Sequence, residues 1–161
     1  MFNEKLAKAL NEQINKEMAS AYLYLGMATH FEAEGLRGFS RWMHKQAQEE
    51  MEHAMKIYNF LFDAGSKPAL GRLEAPKTEY GKAQEVFELV LKHEKTVTDS
   101  INKLYELALA EKDFKTQVFL QWFITEQVEE EANVDEILDK FKFIDDNTAL
   151  LFLDKELGER K

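Results

Sequence analysis

Four helix-length apolar seams run along this chain, their residues spaced alternately by three and four, and each is broken near its middle by groups able to bind a cation. The interruptions are Glu17; Glu50 with His53; Glu94; and Gln127 with Glu130. A bundle closing on those seams brings four carboxylates and an imidazole to one level. Anions gathered in a low-dielectric core repel one another and lose hydration, so they must take up protons or cations. The pattern therefore points to long helices around a buried metal site.

The first helix is expected from about Asn3, a good N-cap, to about Glu34, where Gly35 supplies a left-handed stop. Its seam is Ala7, Leu10, Ile14, Glu17, Ala21, Tyr24, Ala28 and Phe31. After a turn at Gly35-Leu36-Arg37-Gly38, a second helix carries Met43, Ala47, Glu50, Ala54, Ile57, Leu61 and Ala64, and Gly65 ends it. The third, about Lys82 to Lys112, has Phe87, Val90, Glu94, Val97, Ile101, Leu104 and Ala108 on its seam. A tight turn near Asp113 leads into the fourth, with Leu120, Phe123, Gln127, Glu130, Val134, Ile137 and Phe141.

Ser66 to Gly81 holds both prolines and shows no periodicity, which makes it a loop of unusual length. A helix of about 30 residues is about 45 Å long, and about 15 extended residues reach about 50 Å. The loop can thus run the length of the bundle and make the second and third helices parallel. Two antiparallel pairs joined by one crossover give an all-α, ferritin-like four-helix bundle. Asp145-Asp146-Asn147-Thr148 offers caps for a short fifth helix, about 148–157, that is apolar all round at Leu150-Leu151-Phe152-Leu153. Such a helix either folds over the end of the bundle or meets other subunits.

With 161 residues, 45% of them apolar, one domain over 1–161 is expected, its bundle spanning about 3–143. Seven Gly and two Pro leave little material for hairpins. The net charge of −9, without a basic tail or stripe, argues against a nucleic-acid partner. The absence of Cys excludes thiolate metal sites, Fe–S clusters and thiol nucleophiles. The first residues enter an amphipathic pattern without a signal core, and no apolar run nears the ~20 residues that span a bilayer, so no membrane partner and a cytoplasmic location are expected.

Glu50 and His53 lie at i and i+3 and can face one point, and Gln127 and Glu130 repeat that spacing. Ferritin-like dinuclear sites use a Glu from each of two helices plus a Glu-x-x-His from each of the other two. Here Glu17 and Glu94 supply the lone glutamates and Glu50/His53 one pair, whereas Gln127/Glu130 keeps a carboxylate and lacks the imidazole. The two metal positions should therefore be unequal, with Glu50 as the bridge. Carboxylates with one imidazole suit iron or manganese, and zinc could compete; the residues alone do not choose.

Asn11-Glu12-Gln13 leading to Glu17, Gln46-Ala47-Gln48-Glu49-Glu50-Met51-Glu52-His53, Lys92-His93-Glu94, and Phe119-Leu120-Gln121-Trp122-Phe123 leading to Glu126-Gln127 and Glu129-Glu130-Glu131 match a family closely, as does the final Asp154-Lys155-Glu156-Leu157. From end to end the chain resembles the bacterial non-haem ferritins. The resemblance implies a homo-oligomeric hollow shell of 24 subunits that oxidises Fe(II) with dioxygen and stores the ferric product as a hydrated oxide. It implies Glu17, Glu50 and His53 as ligands of the first ferroxidase iron and Glu50, Glu94 and Glu130 as those of the second, with Gln127 beside the centre. Glu49, Glu126 and Glu129, sharing Glu130, match the family's third iron site; from charge alone they read as solvated surface acids. Tyr24 matches the tyrosine next to the family's centre, where it gives an electron or holds a hydrogen bond; its place on the seam is equally that of a packed core aromatic.

Met51 stands where bacterioferritins bind haem, but their second Glu-x-x-His is absent and no haem is expected. A rubrerythrin-type enzyme would need cysteine for its second iron domain. Trp122 reads as packing, and His30, His44 and His93 read as helix-face residues with no convergent partners.

Overall fold

The computed structural model describes residues 1–161 and contains five α-helices: α1 Glu4–Ala33, α2 Arg37–Asp63, α3 Ala83–Ala110, α4 Phe114–Phe141 and α5 Asn147–Gly158. Side chains cap several starts. Asn3 accepts from the amides of Lys5 and Leu6, Asp113 from that of Thr116 and Asp146 from that of Ala149, each satisfying helix donors that have no partner within the helix. Gly35 and Gly65 adopt φ of 78° and 82°, the left-handed stops that the sequence places after α1 and α2.

Helix α2 begins at Arg37, so the expected four-residue turn is shorter and Gly38 is helical. The reason is α5. A Cβ on Gly38 would lie 1.7 Å from the Asp154 carbonyl oxygen, and one on Gly158 would lie 2.9 Å from Gly38 Cα. Only two glycines allow this approach, which the Asp154 carboxylate reinforces by accepting from the Phe39 amide at 2.8 Å. Helix α5 thus packs Leu153 and Leu157 into the core beside α2, while Leu151 and Phe152 on its other side remain exposed.

Contacts fix the topology. Tyr24 meets Glu94, Ser20 meets His93, Lys16 meets Ser100 and Asn3 meets Glu111, so α1 and α3 run antiparallel. Since α1 and α2 form a hairpin, α2 and α3 are parallel and the 64–82 segment is the expected crossover. It is laid along α1: the Ala69 amide donates to Asn11, the Arg72 carbonyl accepts from Asn15, and the Tyr80 amide reaches His30. This strap explains why α1 buries more than its seam, including Met27 and His30. His30 is therefore not a helix-face residue but a buried one whose Nε2 is 2.8 Å from the Gly81 carbonyl.

The seams of α3 and α4 are buried as read from the sequence; in α1 and α2, Ala7, Ala47 and Ala64 are only partly buried. The apolar core falls into two clusters, one around Phe31, Phe39 and Phe87, the other around Leu6, Ile57 and Leu120. Between them lies a polar belt. No helix is long and apolar enough to cross a membrane.

Candidate metal centre

Each bundle helix contributes to the belt near its midpoint: α1 gives Glu17, α2 Glu50 and His53, α3 Glu94, and α4 Gln127 and Glu130. The four carboxylates are 0–3% exposed. One ligand atom from each of Glu17, Glu50 and His53 falls within a 4.8 Å cluster; so it does for Glu50, Glu94 and Glu130, and for His53, Glu126 and Glu130. Glu50, His53 and Glu130 each belong to two of these groups. His53 Nδ1 is 3.4 Å from Glu50 and Nε2 is 3.8 Å from Glu126.

The hydrogen bonding is uneven. Gln13 donates to Glu17 at 2.9 Å, but the other Glu17 oxygen and both Glu50 oxygens are buried with no partner. Such orphaned oxygens are costly unless a proton or cation meets them. Around Glu94, the Tyr24 hydroxyl donates to one oxygen and Gln127 Nε2 to the other at 3.1 Å. Gln46 donates to Glu130 at 2.6 Å.

Burial, then the Glu50 charge, raises the Glu17 pKa well above the carboxylate range. Burial and the Glu94 charge do the same to Glu50. Glu130 is pushed up to about 7 by burial and Glu94. Burial and the neighbouring carboxylates raise the Tyr24 phenol, which keeps its proton and donates to Glu94. A set of hard oxygens with one imidazole suits a divalent ion, whose charge would favour the ionised carboxylates.

The family description "Ferritin-like domain" matches residues 7–144. The chain is 44% identical to the bacterial non-heme ferritin of Bacteroides fragilis over 160 residues, 99% of this chain and 100% of that one. The chain belongs to the ferritin family. A probable bacterial non-heme ferritin-like protein of Haemophilus influenzae is 39% identical over 98% of this chain and 96% of its own. Among solved structures, an open pore ferritin from the hyperthermophilic archaeon Archaeoglobus fulgidus superposes with TM-score 0.97 at 49% identity, covering all of both chains. The all-α bundle with a short C-terminal helix is thus the ferritin fold.

Beyond the belt, this ferritin-family chain holds the remaining expected residues in different settings. Glu126, its pKa raised mainly by burial, approaches His53 and Glu130; Glu129 is exposed; Glu49 is paired with Arg160 at 2.7 Å. Trp122 stands edge-on to His53, ring centroids 5.3 Å apart, with Lys56 Nζ 4.1 Å from its own ring centre. His93 is not without partners: its Nε2 is 2.7 Å from the Ser20 hydroxyl and its ring is edge-on to Tyr24. Burial lowers its pKa.

Three residues escaped the sequence reading. Gln13 and Gln46 each precede a seam glutamate, Glu17 and Glu50, by four residues, which puts them one turn away on the same face. A polar residue at that offset was the available signal. Arg160 carried none, because its position depends on how α5 docks.

Proposed function

We propose that the chain stores and detoxifies iron as a ferroxidase, a single ferritin-like domain over residues 1–161 that oxidises Fe(II) with dioxygen and deposits the ferric oxide inside a cytoplasmic shell, a 24-mer. The observation that carries this reading is the pair of ligand groups sharing Glu50, with orphaned oxygens on Glu17 and Glu50. Relatives named as non-heme ferritins support it at full length.

Glu17, Glu50 and His53 hold one Fe(II), and Glu50, Glu94 and Glu130 hold the other. Glu49, Glu126 and Glu129, with Glu130, form the third iron position. Carboxylate charge neutralises the two substrate ions and holds them close enough to react with one dioxygen. Each ferrous ion gives up one electron, and the pair reduces dioxygen to the peroxide level. The ferric ions hydrolyse to hydrated oxide, releasing protons. Gln127 and Tyr24 steady Glu94 through the hydrogen bonds described above, which leaves that carboxylate oriented when the second ion arrives.

The test is anaerobic Fe(II) titration of metal-free protein, then mixing with oxygen, reading sedimentation and soluble ferric iron together. Hundreds of irons per particle in a large shell are expected. Oxidation that stops after two or three irons per chain would replace storage with a di-iron redox activity, and no Fe(II) uptake would overturn the metal reading.

A further inference from the structure

Arg160 lies just beyond α5, and its guanidinium lies back across α2. Its Cζ is 4.6 Å from the centre of the Trp42 ring. Nη1 donates to the Trp42 carbonyl at 3.3 Å and to Gln46 Oε1 at 2.9 Å, and Nη2 donates to Glu49 Oε2 at 2.7 Å. The Arg160 side chain is 18% exposed. Gln46, fully buried, relays the contact inward by donating to Glu130. Because an amide has one acceptor end and one donor end, a guanidinium at its oxygen turns its nitrogen toward Glu130.

A permanent cation thus stands on Glu49, and the Glu49 charge is felt by both Glu126 and Glu130. We propose that Arg160 is a positioning residue for the outer acidic group, a tethered cation that holds Glu49 until a metal ion displaces it. The proposal rests on the metal-binding reading above. An ion at Glu49 competes with a charge-assisted hydrogen bond to one of its two oxygens and meets the guanidinium's positive charge, so it binds more weakly than the acids alone would allow. The same guanidinium holds Gln46, so its departure is felt at Glu130. A lysine offers the charge without the planar fork that contacts both side chains.

The test is calorimetric Zn(II) titration of the assembled, metal-free protein at fixed pH and salt. Glu49→Gln is expected to abolish one binding step, which defines the outer position. Arg160→Gln should tighten that step about tenfold, the size of one charge-assisted hydrogen bond, and leave the tightest step unmoved. In the double variant the outer step should stay absent, as in Glu49→Gln alone. Arg160→Lys should fall between wild type and Arg160→Gln; if Arg160→Gln disturbs assembly, this smaller shift of the same sign decides the matter. An outer step that is unmoved or weakened, or no step lost in Glu49→Gln, overturns the proposal. If the inner steps are intact, only this proposal fails; absent inner steps would also remove the metal reading.

Discussion

On the His53 side of the centre one Glu17 oxygen, and at the shared Glu50 both oxygens, are buried with no hydrogen-bond partner, whereas on the Gln127 side Glu94 and Glu130 accept from Tyr24, Gln127 and Gln46. The imidazole that the Gln127 pair lacks is thus replaced by neutral donors. Dipoles can hold a carboxylate in place but do not cancel its charge. The Gln127 side is therefore ordered before any ion arrives, and the His53 side gains most from one. The two ligand groups thus differ in hydrogen bonding as well as in donor type.

Glu50 is shared by both sides, so its loss should cost most. Glu50→Ala should slow initial Fe(II) oxidation on the order of 100-fold in stopped-flow absorbance. Oxidation at the wild-type rate would mean that Glu50 bridges nothing.

Comparable in size is a pH effect on the metal-free protein. Glu130 moves from 4.5 to about 7, so the folded state holds a proton that the unfolded chain releases earlier. Stability should fall as pH rises through that window, by on the order of 3 kcal/mol from this group. Glu17 and Glu50, also raised, extend the fall to higher pH. Thermal unfolding at several pH values checks the sign: the apoprotein Tm should drop from about pH 5 to 8, and saturating Zn(II) should restore it more at the upper end. A Tm that rises across the range would show that these acids are not buried as described.

The asymmetry itself can be sharpened by removing donors. Gln46→Ala should weaken the Zn(II) step at Glu94 and Glu130 about tenfold while the Glu17, Glu50 and His53 step stays unmoved in the same calorimetric trace. Equal weakening of both would mean that the two halves are not separable. Smallest is Tyr24→Phe, which removes one donor to Glu94. It should change stability by about 1 kcal/mol in denaturant unfolding and leave Zn(II) stoichiometry intact.

Seam periodicity made the helices and the belt legible, because burial on one face repeats every three to four residues whatever the partner. Glu17, Glu50, His53, Glu94 and Glu130 were readable because an ionisable group on an apolar face stands out against that period, and Gln127 because it lies on the same seam one turn before Glu130. Gln13 and Gln46 were harder: an amide carries no charge and passes for a helix-face residue. His30 was misread because its burial comes from a loop laid over α1, and loops without periodicity do not announce what they cover. Arg160 lay beyond reach for a related reason. Its environment is set by the docking of α5, a long-range contact with no local trace.

The contact between Gly38 and Gly158 has a consequence far from where it occurs. Neither residue has a side chain to bind or donate with, yet the spacing they permit sets where the tail ends, and the tail carries the positive charge resting on Glu49. A single methyl group added at position 38 would act as a wedge. It would lift the C-terminal helix and withdraw Arg160, altering the electrostatic field at a carboxylate about three helical turns further along α2. Control over that charge therefore resides in a position with no chemistry of its own.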